Sequence, residues 1–213
     1  MIYVFDLDDT LYEELTFVKG GYYSVASFLA KEYALNANSL YAEMLNLLSI
    51  SRDKVFNRLL KNHNQFSNNL IKRCISIYRG HKPNLILYPD AMLFLEKNIG
   101  KPMYLVTDGN KLVQNLKVKS LGIKKYFKKV IYTSNYGLKH AKPSPYCFIL
   151  ISKLEKIKPT EITYIGDNPN KDFLKIKKLG FKTIRLMRGM YKDVMVNTNY
   201  DAHVKIKGYH ELM

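Results

Sequence analysis

The apolar positions of this chain follow two rhythms that meet near residue 85. Residues 2–5 (Ile2, Tyr3, Val4, Phe5) are an unbroken apolar run with β-branched and aromatic members. Such a run predicts a short strand buried on both faces. Residues 13–84 then show helical spacing and no convincing strand. Tyr22, Val25, Ala26, Leu29 and Tyr33 form one stripe, and Leu40, Met44, Leu47 and Leu48 a second. Val55, Leu59 and Leu60 form a third, and Leu70, Ile71, Cys74, Ile77 and Tyr78 a fourth. Gly80, Pro83 and Asn84 break the pattern.

From Leu85 onward strands and helices alternate. Pro89-Asp90 opens a helix containing Leu93 and Leu95 that closes at Asn98–Gly100. Met103–Val106 is a buried strand running into Thr107-Asp108-Gly109-Asn110. A helix over Lys111–Leu121 stops at Gly122, the usual C-terminal residue. Val130–Tyr132 is the next strand, and Ser144-Pro145 starts a helix through Lys153. Ile162–Ile165 is a strand ending in Gly166-Asp167; Asn170 caps a helix that Gly180 ends. Thr183–Leu186 and Ala202–Ile206 complete the strands. The alternation predicts an α/β class chain with a doubly wound parallel sheet covered on both faces. The expected division is a core domain of residues 1–12 and 85–213, with an all-helical domain of residues 13–84 inserted after the first strand.

Composition narrows this picture modestly. At 213 residues and 47% hydrophobic, the chain can bury one large core, or a core plus a small insert. No apolar run approaches the ~18–20 residues that span a bilayer, and no basic segment leads a hydrophobic leader. The expected location is therefore cytoplasmic. Cys74 and Cys147, both inside apolar helical patterns, are expected as buried free thiols. The formal net charge of +16, from 34 Lys and Arg against 18 Asp and Glu, permits nucleic-acid binding or attraction of a phosphorylated anion. The lysines are spread, however. Lys97, Lys111, Lys117, Lys124 and Lys175 are among those read as filling solvent positions of helices and turns.

Four stretches carry chemistry, each at a strand tip or a helix start. Asp6-x-Asp8-x-Thr10 follows the first strand, where ligands of open α/β sheets sit. The i, i+2 carboxylates suit a hard cation bound by one carboxylate and completed by a carbonyl or second carboxylate. The plain alternative is an Asp-rich turn capping the next helix, the role expected of Asp9. Thr107, Gly109 and Asn110 place a hydroxyl and backbone N–H groups at a helix start, suited to phosphate oxygens. Lys142-Pro143 precedes another helix, with Lys139 as a nearby rival. Gly166-Asp167 is followed by Asp172, which could also favour a helix N-terminus by charge alone.

In this order and at these separations, the four stretches resemble the motifs of the haloacid dehalogenase superfamily. Phe5-Asp6-Leu7-Asp8-Asp9-Thr10-Leu11 is similar to its first motif, Thr107 to its second, Lys142-Pro143 to its third and Gly166-Asp167-x4-Asp172 to its fourth. Gln114, Leu116 and Leu121-Gly122-x4-Phe127 are similar to the branch of small-molecule phosphatases, and residues 13–84 resemble that family's helical cap. The resemblance implies Asp6 as nucleophile and Asp8 as general acid and base. It implies Mg²⁺ held by Asp6, the backbone carbonyl of Asp8, and Asp167. Thr107, the Asp108-Gly109 turn and Lys142 would hold the phosphoryl oxygens, and Asp172 would orient Lys142 or a metal-bound water. Many relatives carry Asn where this chain has Asp108. A carboxylate there repels phosphate unless it turns away or accepts from a neighbour, and Asn110 is a candidate for the missing amide.

Dehalogenases need no general acid at the second Asp position, so Asp8 argues for phosphoryl chemistry. The expected function is a Mg²⁺-dependent phosphomonoester hydrolase acting on a sugar phosphate, a nucleotide or an acylneuraminate-type phosphate. Lys19, Tyr22, Tyr23 and Arg52 are its candidate substrate-selecting residues, with cap packing or plain surface as the alternative for each. A phosphomutase of the same fold, or a basic nucleic-acid-binding protein with a vestigial site, are the alternatives.

Overall fold

A computed structural model describes all 213 residues. The chain divides into two compact units, Met1–Glu14 with Leu85–Met213, and Leu15–Asn84. The first unit is built on six parallel strands: β1 (Ile2–Phe5), β2 (Met103–Thr107), β3 (Lys129–Tyr132), β4 (Ile162–Gly166), β5 (Lys182–Leu186) and β6 (Val204–Ile206). Their order across the sheet is β3-β2-β1-β4-β5-β6, which places β1 centrally and leaves β3 and β6 at the edges. Helices α5 (Pro89–Lys97), α6 (Lys111–Ser120) and α7 (Tyr146–Glu155) supply the crossovers.

The alternation of side chains along β1 feeds two apolar layers. Val4 packs with Tyr104, Val106, Phe148 and Tyr164. Phe5 points into an aromatic group, its ring 6.1 Å from Phe94 and 5.8 Å from Phe127. Phe94 in turn lies 5.1 Å from Tyr209. Strands β2 and β4 are buried along their whole length, as central parallel strands must be when helices cover both faces.

Two expected helices differ in extent. No helix begins at Asn170; only the single turn α8 (Leu174–Lys177) forms. The residues before it are held in a turn by side chains instead. Asn168 Oδ1 accepts from the Asn170 N–H at 3.0 Å, and Asp172 accepts from the Asn168 N–H at 2.9 Å. Asx bonds of this kind compete with helix formation. Helix α7 begins at Tyr146, with Pro145 in the cap position. Strand β6 is also shorter than the apolar run, because Asp201 turns the chain by accepting from the Ala202 N–H.

The second unit contains α1 (Glu14–Tyr33, of which Glu14 belongs to the first unit), α2 (Ala37–Ile50), α3 (Val55–Asn62) and α4 (Asn68–Gly80). Asn36 caps α2 by accepting from the Ser39 N–H, and Ser67 caps α4 by accepting from the Leu70 N–H. The four stripes meet in one core that includes Val25, Leu29, Met44, Leu59 and Cys74. Gly21 is needed in α1 because a Cβ there would lie 2.4 Å from the Tyr78 ring. Of the residues proposed to select substrate, Tyr22 is buried in this core, its ring 5.7 Å from Phe56; Lys19, Tyr23 and Arg52 are exposed. Tyr22 therefore packs within this core. Both cysteines are buried and unpaired. No helix is long and apolar enough to cross a membrane.

Candidate active site

Parallel strands deliver their carboxyl ends to one edge of the sheet. Phe5 is in register with Leu105 on β2 and Ile165 on β4. Asp6 follows, its N–H donating to the Ile165 carbonyl at 2.9 Å. Thr107 and Asp167 lie one residue further along the two flanking chains. The three strand-end residues expected to act together thus emerge from three neighbouring strands, and all are buried.

Lys142 organises the acidic side of this site. Its Nζ lies 2.8 Å from Asp6 Oδ1 and 2.9 Å from Asp172 Oδ1, and donates to Tyr164 Oη at 2.8 Å. Tyr164 Oη in turn donates to Asp172 Oδ1 at 3.0 Å. Asp172 is thereby saturated, since its Oδ2 accepts from the Asn168 N–H. Lys139, the rival lysine, is exposed. Burial lowers the Lys142 affinity for its proton, but Asp172 and Asp6 outweigh it, and its pKa rises well above the ordinary value. The lysine is a fixed cation.

Asp167 has no such partner: no hydrogen bond or ion pair engages its carboxylate. Burial first, then the charges of Asp6 and Asp172, push its pKa up to about 9. Asp6 is pushed up to about 6, mainly by burial, with Lys142 pulling the other way. Carboxylate oxygens of Asp6, Asp167 and Asp172 all lie within 4.8 Å of one another. Three buried carboxylates sharing one ammonium form a site short of positive charge. An all-oxygen donor set of this kind suits a hard divalent cation such as Mg²⁺. Asp6 and Asp167 fit the cation best, because Asp172 already holds three donors.

Asp8 is held apart from this cluster. Its Oδ1 accepts from Lys117 Nζ at 2.7 Å and from Tyr12 Oη at 2.5 Å; its Oδ2 accepts from Gln114 Nε2 at 3.1 Å. Burial raises the Asp8 pKa, but Lys117 and the three hydrogen bonds together bring it below the ordinary value. Lys117 is a correction to the reading of dispersed solvent lysines. It is buried, with a side chain 5% exposed. The only signal for it in the sequence is its i+3 spacing from Gln114 on α6, which puts both side chains on one face.

Asp108 turns away from the expected phosphate position. Its Oδ1 accepts from Thr133 Oγ1 at 2.7 Å and from the Lys142 N–H at 3.2 Å, and Lys171 Nζ lies 3.7 Å from Oδ2. Its carboxylate is engaged with these donors, and the turn also carries backbone N–H groups and the Thr107 hydroxyl. Thr107 Oγ1 is buried without a hydrogen-bond partner, so it is ready for an oxygen ligand. Asn110 Oδ1 is engaged as the α6 cap, accepting from Leu112 and Val113 N–H groups. Gly109 has φ +109°, and a Cβ there would lie 3.1 Å from Gln114 Nε2. Asp9 is structural: its carboxylate accepts from the Glu14 and Met190 N–H groups. The neighbouring Gly189 must be glycine, because a Cβ would lie 2.1 Å from Asp9 Cγ. Tyr12, Thr133, Tyr164 and Lys171 are the site residues that sequence reasoning missed.

Comparison with known proteins adds an independent line. A family model described as haloacid dehalogenase-like hydrolase matches residues 1–180. A glyceraldehyde 3-phosphate phosphatase of Methanocaldococcus jannaschii is 32% identical over 204 residues, covering 90% of this chain and 86% of that protein. An enzyme of the same name from Methanopyrus kandleri is 27% identical, covering 93% and 89%. Among solved structures, a HAD-hydrolase from Bacillus subtilis bound to magnesium aligns with a TM-score of 0.69 at 17% identity, over 99% of this chain and 96% of that one. A HAD phosphatase from Thermococcus onnurineus aligns at 0.63 and 23% identity, over 99% and 95%.

Proposed function

Because the chain belongs to the haloacid dehalogenase-like hydrolases, we propose that it hydrolyses small phosphomonoesters with Mg²⁺, through a phosphorylated Asp6. The observation that carries this reading is the buried cluster of Asp6, Lys142 and Asp167 at adjoining strand ends. Relatives named as glyceraldehyde 3-phosphate phosphatases and a phosphoserine phosphatase support a short phosphorylated metabolite as substrate. A sugar-type phosphate is the preferred class. The helical unit Leu15–Asn84 is assigned the role of this family's cap, where substrate choice resides.

In the first half-reaction an Asp6 oxygen bonds to phosphorus as the ester P–O bond breaks. Asp8, an ionised carboxylate in the unliganded protein, takes up a proton as the negatively charged phosphate binds beside it and passes that proton to the departing alkoxide. In the second half, water attacks phosphorus, its proton passes to Asp8, and Asp6 leaves phosphate as a free carboxylate. With a pKa of about 6, Asp6 is ionised at neutral pH, as a nucleophile must be. Lys142 and Thr107 bind the non-bridging oxygens whose charge redistributes in the transition state. Asp6, Asp167 and the Asp8 carbonyl are the groups that would hold Mg²⁺, which when bound supplies positive charge to those same oxygens.

The test is phosphate release across a panel of sugar phosphates, nucleotides and phospho-amino acids, with and without Mg²⁺. The expected result is Mg²⁺-dependent turnover of at least one sugar-type phosphate that Asp6→Asn abolishes. Turnover that survives Asp6→Asn, or no turnover by the wild type, overturns the reading.

A further inference from the structure

Asp8 and Gln114 are 106 residues apart, and Asp8 and Lys117 are 109 apart, yet the three side chains meet in one buried cradle. Lys117 and Gln114 occupy one face of α6, a turn apart, and Tyr12 closes the other side with a fully buried ring. The cradle treats the two Asp8 oxygens differently. Oδ1 receives an ammonium and a phenol hydroxyl; Oδ2 receives only an amide hydrogen of Gln114. That same amide nitrogen also donates to the Asp108 carbonyl at 2.5 Å, so its position is fixed independently of Asp8. Residue 109, at φ +109°, is a glycine, and a Cβ there would crowd this nitrogen at 3.1 Å.

A proton on Oδ1 would have to displace two donors, one of them charged. A proton on Oδ2 displaces one neutral donor. We propose that Lys117 is a positioning residue for proton transfer: with Tyr12 it anchors Asp8 Oδ1, and so assigns Oδ2 as the oxygen that delivers the proton to the leaving group. The inference rests on the phosphatase reading above and goes beyond it, since it concerns how Asp8 is oriented. The step balances simply. The Oδ2–H bond breaks as the proton moves to the ester oxygen, while the P–O bond to that oxygen breaks and the Asp6 O–P bond forms. Lys117 neither gives nor takes a proton in this balance.

The experiment compares an alkyl phosphate, which needs protonation to depart, with p-nitrophenyl phosphate, which hardly does. Asp8→Asn sets the scale and is expected to lose roughly 10²–10⁴-fold in kcat on the alkyl ester, and far less on the nitrophenyl ester. Lys117→Met should show the same split, losing on the order of 10²-fold on the alkyl ester with KM within about threefold. Lys117→Arg, which retains a cationic donor, should recover part of the loss. In the Asp8→Asn background, adding Lys117→Met should change kcat by less than about twofold, because the two residues act as one unit. The double variant removes the buried ammonium together with the carboxylate it pairs with, so it keeps the test available if Lys117→Met does not fold.

Equal losses on both esters in Lys117→Met, a loss confined to KM, or a further tenfold drop in the double variant each overturn the proposal. The phosphatase reading fails separately. It falls if the wild type turns over neither ester; the role of Asp8 falls if Asp8→Asn shows no split. Only a split in Asp8→Asn without one in the lysine variants counts against Lys117 alone.

Discussion

Asp167→Asn is expected to stabilise the metal-free protein while removing its response to Mg²⁺. The carboxylate has no hydrogen-bond donor, and burial with the charges of Asp6 and Asp172 pushes its pKa up to about 9. In the unfolded chain the same group titrates near 3.9. Between those two values the folded state binds a proton that the unfolded state does not. Wild-type stability must therefore fall as pH rises through this window, by at most about 1.4 kcal/mol per pH unit. From pH 6 to pH 8 the loss relative to Asp167→Asn is at most about 3 kcal/mol. For a chain of this size that corresponds to roughly 6–12 °C in Tm. Asp6, pushed to about 6, titrates in the same range, but it is present in both proteins. Thermal unfolding in EDTA at the two pH values reads the difference. A Mg²⁺ concentration fixed at about a hundred times the pH 8 Kd should raise wild-type stability by about 2.7 kcal/mol at pH 8, and by less at pH 6, where the cation must displace a proton and Kd is weaker. It should leave the variant nearly unmoved. If the two metal-free proteins keep the same Tm difference at pH 6 and pH 8, the carboxylate is not held in the state described, and the argument for a cation there fails.

Asp108→Asn should fold and work within a few-fold of wild type, since an amide oxygen can still accept from Thr133 and the Lys142 N–H. Asp108→Ala, which orphans both donors, should lose about 1–3 kcal/mol in denaturant unfolding. Tyr164→Phe should raise KM or lower kcat by about tenfold or less, as Lys142 keeps both carboxylates but loses one fixed neighbour; steady-state kinetics separates this from the near-complete loss expected of Lys142→Met. Arg185→Leu should destabilise by roughly 3–5 kcal/mol without changing kcat of the folded enzyme. The Arg185 guanidinium is buried, pairs with Asp201 and donates to the carbonyls of Tyr191 and Val194, none of which belongs to the Asp6 cluster; urea titration and activity per folded molecule test the two halves.

The parts of the site that were legible in sequence are those set by local order. A strand followed at once by polar residues places Asp6, Thr107 and Asp167 without any knowledge of packing, because parallel strands end on one side. Partnerships made across the fold left no such trace. Lys117 reads as one of many lysines on a helix, and its burial depends on Asp8 arriving from β1. Tyr164 reads as one more apolar strand residue, although its hydroxyl joins Lys142 to Asp172. The short α8 shows the limit of capping rules: Asn170 had the right residue type, but its own N–H is held by Asn168 Oδ1 and the Asp172 N–H, which it would cap, by the Asn168 carbonyl.

The two outermost strands give the excess of lysine a purpose independent of any ligand. Each of β3 and β6 presents unpaired backbone groups along one side, a template on which a second copy could add its own strand. Exposed Lys128 and Lys129 stand at β3, and exposed Lys205 and Lys207 at and beside β6. Two copies approaching edge to edge would bring Lys129 and Lys207 together, while Lys128 and Lys205 are already paired with Glu155 and Asp201. The barrier is electrostatic and screened within about 8–10 Å at ordinary ionic strength. Self-association of the folded protein should therefore depend on salt, and neutralising Lys129 and Lys207, by acetylation or substitution, should bring on concentration-dependent polymers before it disturbs the fold.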